Sequence, residues 1–195
     1  AASGAASALS SVMIAGGTSR EALRYGVTSD LGHPGLVVQE GIGLFAGGII
    51  DQNLISSGRL GRLVVACAEE NERFGIGVCE ESAVISTHAG LKLEARGRHG
   101  FVLVDVDAGG LSLQGDNFVA TGVKLALLAP GDSADLETGA IHRQGSGLSN
   151  DLLGEMAADL LRAGGKAAAA QIDIRLADDP YHAVLDLSFP RDESS

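Results

Sequence analysis

Residues 47–81 read GGIIDQNLISSGRLGRLVVACAEENERFGIGVCEE. The stretch contains a strand, a helix and a second strand in succession. Gly47 to Asp51 is a short apolar run that ends in polar residues, the pattern of a buried strand. Arg59 to Asn71 carries Leu60, Leu63, Val64 and Cys67 at i, i+3, i+4 and i+7, which gives a helix one apolar face. Phe74 to Val78 is again strand-like. A strand–helix–strand unit places Asp51, Gln52 and Asn53 at the carboxyl end of a strand, where open α/β sheets bind ligands.

Working outward, Ala5 to Ile14 suits a short helix stopped by Gly16-Gly17, and Thr18 to Gln39 is mixed, with a loop at Gly32, Pro34 and Gly35. Beyond residue 81 the pattern turns to strands: Ala83–Ser86, Leu91–Glu94, Phe101–Val106 and Lys124–Leu128. Asp151–Ala163 reads as a helix, and Ile172–Leu176 with Ala183–Phe189 reads as a hairpin. The expectation is an α/β fold whose helix-covered sheet gives way to antiparallel strands. Residues 1–140 form the main domain, and the helix and hairpin of 141–195 serve subunit contact.

Composition narrows the function. The chain has 195 residues, with 14 Lys+Arg against 25 Asp+Glu and a net charge of −11. That balance argues against nucleic acid, since phosphate neutralisation needs a basic surplus, and against anionic membrane surfaces. It suits a neutral or basic substrate. The longest apolar stretch, Gly41 to Ile50, is short of the roughly 20 residues a bilayer span needs. The start (AASGAASALSSVMIAGG) lacks a basic leader region, so the expected setting is cytoplasmic. Cys67 and Cys79 alone cannot supply a disulfide framework, and His33, His88, His99, His142 and His182 show no ligand spacing. Neither a metal nor a cofactor is expected.

Three clusters carry candidate chemistry. In Ala1-Ala2-Ser3-Gly4-Ala5-Ala6, tiny neighbours surround a serine, as a nucleophile elbow requires, and the Gly4 N–H is placed to meet an oxyanion. The same residues also suit a plain helix start with Ser3 as N-cap. Arg59 and Arg62 lie one helical turn apart, so both can hold a carboxylate; they also suit two solvated arginines after a turn. Glu80 and Glu81 follow the second strand, where one can orient a base as a triad acid does, or both can be surface charge.

The order of these segments is more specific than any one of them. GIGLFAGGIIDQN, SGRLGRL, FGIGVCEESAVI, GRHGFVLVD and VKLALLAPGDSADLET together resemble the cyanophycinase family, serine peptidases related to peptidase E. The resemblance runs from residue 1 to about 140. It implies a three-layer, class I glutamine-amidotransferase-like (flavodoxin-like) α/β sheet, here lacking its N-terminal strands. It also implies cleavage of β-aspartyl-arginine peptide bonds through an acyl-enzyme. The family's Gly-Thr-Ser-Ala-Gly-Ala elbow falls on residues 1–6, which makes Ser3 the nucleophile and Gly4 an oxyanion donor. Its Asp-Gln-His motif falls on Asp51, Gln52 and Asn53, and its Gly-Ile-Gly-Ile-Asp-Glu on Gly75 to Glu80, so Glu80 takes the place of the triad acid. Its substrate-holding arginines fall on Arg59 and Arg62. Asp51 and Gln52 would line the same pocket, with Asp51 facing a basic part of the substrate.

The departures point the other way. Asn53 stands where the family has its general-base histidine, and an amide cannot take the serine proton near neutral pH. Loss of a triad member costs about 10⁴–10⁶-fold. Ser57 replaces another arginine, Ala1 and Ala2 alter the elbow, and Cys79 stands where Asp is usual. Two readings follow: a peptidase subunit working beside a separate N-terminal chain, with a base supplied by that chain or by one of this chain's own histidines, His33 or His88 foremost, or a pseudoenzyme acting as a binding or structural subunit. Both imply an oligomer, because the missing strands would leave a sheet edge open.

Overall fold

The structure is a computed structural model, which describes residues 4–106, 111–114, 117–144, 154–156, 158–160, 162, 171–176, 181 and 183–191. It is a mixed α/β fold. Among the described residues, helices α1 (Gly4–Ser7), α2 (Ser19–Tyr25) and α3 (Leu60–Glu69) accompany fourteen strands. The quoted strand–helix–strand unit is present as β4 (Ile49–Gln52), α3 and β5 (Phe74–Val78), with β4 and β5 parallel.

The central sheet continues from β5 through antiparallel neighbours. These are β8 (Phe101–Asp105), β10 (Asn117–Leu128), β14 (Ala183–Pro190) and β13 (Gln171–Leu176), while β9 (Leu111–Gln114) pairs with β10. The change from parallel to antiparallel pairing after β5 follows the sequence reading. Strand β14 is interior to this sheet, and its Leu185, Leu187 and Phe189 share the core that α3 covers.

Alternation along each strand divides the core between two faces, as the period of two requires. Ile49, Val102, Val104, Leu125 and Leu127 face the side occupied by α2 and α3. Ile50, Ile76, Phe101, Leu103 and Leu128 face the other side. There a second sheet packs, ordered β12 (Ala140–His142), β11 (Ser133–Asp135), β7 (Lys92–Gly97) and β6 (Ser82–Thr87). Among the described residues the layers are therefore helix, sheet and sheet.

One local expectation is corrected. The helix expected over residues 5–14 ends at Ser7, and Val12–Gly16 is strand β1. β1 pairs with β3 (Leu36–Glu40), which takes the backbone groups of Val12, Met13 and Ile14 into a ladder. The stretch 18–39, read only as mixed with a loop at Gly32, Pro34 and Gly35, holds α2, the short β2 (Val27–Thr28) parallel to β3, and β3 itself. β4 is the terminal strand of the central sheet. α1 and the turn after it lie against β4, and Ser10 Oγ accepts the Ile50 N–H at 3.0 Å.

Helix α3 sits close on β5 because Gly75 gives it room, and Gly77 does the same for Leu54 in the turn before it. A Cβ on Gly75 would lie 2.8 Å from Leu63 Cγ, and one on Gly77 would lie 2.4 Å from Leu54 Cδ2. Both neighbours are fully buried and have little freedom to yield. Gly75→Ala should therefore overpack this contact and cost about 1–3 kcal/mol, read as a fall in Tm in thermal unfolding. An unchanged Tm would show that α3 can shift away from the sheet.

Candidate functional site

Asp51 ends β4 inside the protein, with 0% of its surface exposed. A buried carboxylate needs a partner, and Arg62, itself 7% exposed, supplies one from the first turns of α3. Arg62 Nε donates to Asp51 Oδ2 and Nη2 to Oδ1, each at 2.6 Å. This is the two-pronged geometry that matches guanidinium to carboxylate. The remaining prong, Nη1, donates to the Gly17 carbonyl at 2.7 Å, and the Gln52 N–H donates to Asp51 Oδ1 at 2.9 Å. One ion pair thus ties β4, α3 and the turn before α2 together.

Arg59 stands at the start of α3 beside this pair. Its Nη1 donates to the Gln52 carbonyl at 2.7 Å and lies 3.7 Å from Asp51 Oδ1. Its side chain is 25% exposed. Burial, and then the neighbouring Arg62 charge, push its pKa below the ordinary arginine value. Ser19 closes the floor: its Oγ donates to the Gly58 carbonyl at 2.6 Å and accepts the Arg62 N–H at 3.1 Å.

Above this floor opens a cleft of about 530 Å³ lined by Thr18, Arg20, Ser57, Arg59, Arg62 and Arg162, among others. Four guanidiniums face two carboxylates there, Asp51 below and Asp159 at the rim, in a chain of net charge −11. Asp51 is occupied by Arg62, and Asp159 by an ion pair with Arg162. Arg20 is exposed and makes no ion pair among the described residues. What the cleft offers a ligand is positive charge and the N-terminal end of α3, so it suits an anion. Asp51, read from the sequence as facing a basic group, supports the arginines from behind.

The other predicted residues gather next door. Asn53 and Glu80 follow the adjacent strand ends, where Gln52 and Val78 are in register. Asn53 is exposed, has a φ of 52°, and its side chain makes no hydrogen bond among the described residues. Glu80 instead accepts from Ser56, through its N–H at 3.2 Å and through its hydroxyl. Gly4 opens α1, which is held against β4 by a hydrogen bond from Ser7 Oγ to Gln52 Oε1. Ser3, with Ala1 and Ala2, lies outside the described residues.

His33 packs edge-on against Tyr25, and His88 sits beside Thr87. Neither lines the cleft or the groove that holds Asn53. The Cys79 thiol is pushed up to about 12 by burial and then by Glu80, so it is a neutral thiol at working pH. Among the described residues no group of three or more His, Cys, Asp or Glu is placed to hold a metal ion, and no helix is long and apolar enough to cross a membrane.

Sequence reasoning missed Thr18, Arg20, Asp159 and Arg162. A signal for the first two was present. Thr18-Ser19-Arg20-Glu21 is a capping box, and the Thr18 N–H donates to Glu21 Oε2 at 2.7 Å while the Glu21 N–H returns to Thr18 Oγ1. A scan against protein-family models finds no match, and a search of curated proteins finds none either.

The buried pair makes a clear prediction for urea denaturation. Asp51→Ala leaves Arg62 charged and uncompensated, at a cost of about 3–5 kcal/mol. Replacing both partners, Asp51→Leu with Arg62→Met, should restore most of that loss. Equal loss in the single and double variants would contradict the pairing.

Proposed function

We propose that the chain is a cyanophycinase-type domain that binds the carboxylate of a β-aspartyl peptide and has lost its general base. The observation that carries this reading is the arginine cleft. Arg59 and Arg62, the positions of the family's substrate-holding arginines, share it with Arg20, and their one buried carboxylate is already neutralised. A β-aspartyl dipeptide presents two free carboxylates and suits such a cleft. The class I glutamine-amidotransferase-like fold belongs to the same proposal, supported by the parallel β4–β5 pair joined through α3. So do homo-oligomerisation and a cytoplasmic setting, which rest on the sequence reading alone.

The peptidase reading, acyl-enzyme formation on Ser3 with Gly4 as oxyanion donor, is favoured by one observation. Asn53 and Glu80 stand at neighbouring strand ends, as base and acid of a triad would, so the base is the missing element. Among the described residues no histidine lines the cleft or the groove that holds Asn53. Asn53→His should therefore raise hydrolysis of a β-aspartyl-arginine dipeptide by about 10³-fold or more, followed by release of free arginine. A parent chain that hydrolyses within tenfold of the variant would overturn the loss of function.

A further inference from the structure

We propose that the free edge of β6 is a docking site for an extended peptide, which adds to the second sheet as a further strand. β6 is the last strand in the order β12-β11-β7-β6, and among the described residues no strand pairs with its outer side. The direction of its backbone groups follows from its neighbours. Ala95, the β7 partner of Val84, sends its N–H to the Asp132 carbonyl and receives the Gly131 N–H, both at 2.9 Å. Ala95 therefore points its backbone away from β6, and Val84 points its own N–H and C=O away from β7, to the open side. One residue beyond the strand, Arg98 donates to the Glu81 carbonyl at 2.9 Å, which fixes the same alternation. Ser86 follows Val84 outward.

Edge strands are ordinarily guarded by charge, proline or a bulge. β6 reads Ser-Ala-Val-Ile-Ser-Thr, with none of these, and pairs with β7 in unbroken register. Alongside it runs a groove of about 610 Å³. Ser82, Val84 and Ser86 form one wall, and Phe45, Ile50 and Ile76 contribute apolar surface. Residues paired across strands share a sheet face. A strand laid on β6 therefore hangs every second side chain over this groove, with Gln52 and Asn53 also on its lining.

The occupant is a segment of alternating apolar residues with a basic residue at its carboxyl end. Among the described residues Glu81 is the one charged residue on the groove lining; it precedes β6 in an exposed ion pair with Arg98, which a basic ligand would compete for, and Glu80 stands next to it. An antiparallel strand brings its carboxyl end to that position, and a chain of net charge −11 favours a basic partner. This inference needs neither Ser3 nor the arginine cleft.

The test is fluorescence anisotropy of the whole chain with an acetylated, fluorescein-labelled peptide Val-Thr-Val-Thr-Val-Lys. Binding is expected, with at least a tenfold loss when the valine amides are N-methylated and little change when the threonine amides are. Val84→Pro should weaken binding to a similar extent, because it removes an outward N–H and leaves the ladder to β7 intact. Replacing the peptide's lysine by glutamate should weaken it further. Absence of binding, or indifference to valine N-methylation, overturns the proposal. So does sedimentation of the chain as a dimer that Val84→Pro dissociates, since a second copy would then occupy the edge.

Discussion

The ion pair between Asp51 and Arg62 is the contact on which the other features of the site depend. Removing two charges from water is costly, and a single contact rarely repays it. Here the cost is offset by several charge-assisted hydrogen bonds: two between the partners, one to the Gly17 carbonyl and one from the Gln52 N–H. The arrangement works only if β4, α3 and the turn before α2 hold fixed positions. Its consequence is directional. With Asp51 bound by Arg62 and 3.7 Å from Arg59, the exposed Arg20 and the partly exposed Arg59 leave the cleft cationic although the chain is acidic.

The position of α3 depends in turn on glycine. Gly75 and Gly77 lower the profile of β5 so that Leu54, Leu63 and Cys67 pack directly on the strand. On the opposite face the second sheet covers Ile50, Ile76 and Phe101, so the ends of β4 and β5 stand between two layers. The arginine cleft opens toward the helices, and the apolar groove beside β6 opens toward the second sheet.

Much of this was legible in the sequence where periodicity was strong. The run of Leu60, Leu63, Val64 and Cys67 located α3, and short apolar runs located β4, β5, β8 and the hairpin β13–β14. Local signals failed where distant partners decided the outcome. Val12–Gly16 followed a helix-favouring alanine run, yet β3, far along the chain, paired with it as a strand. The capping box at Thr18 was readable and marked the start of α2, but its place at the cleft depended on the tertiary fold. Spacing put Arg59 and Arg62 on one helix face, and the family resemblance alone gave them a substrate-holding role. That Asp51 turns inward to Arg62 could not be read, because burial of a charge is decided by packing.

The most direct measurement is isothermal titration of the whole chain with β-aspartyl-arginine and with the same dipeptide carrying both carboxylates as amides. The account predicts binding of the free dipeptide that weakens with added salt, and at least a tenfold loss for the diamide. Equal affinity for the two ligands, or salt-insensitive binding, would contradict a cleft that works by holding carboxylates on arginine.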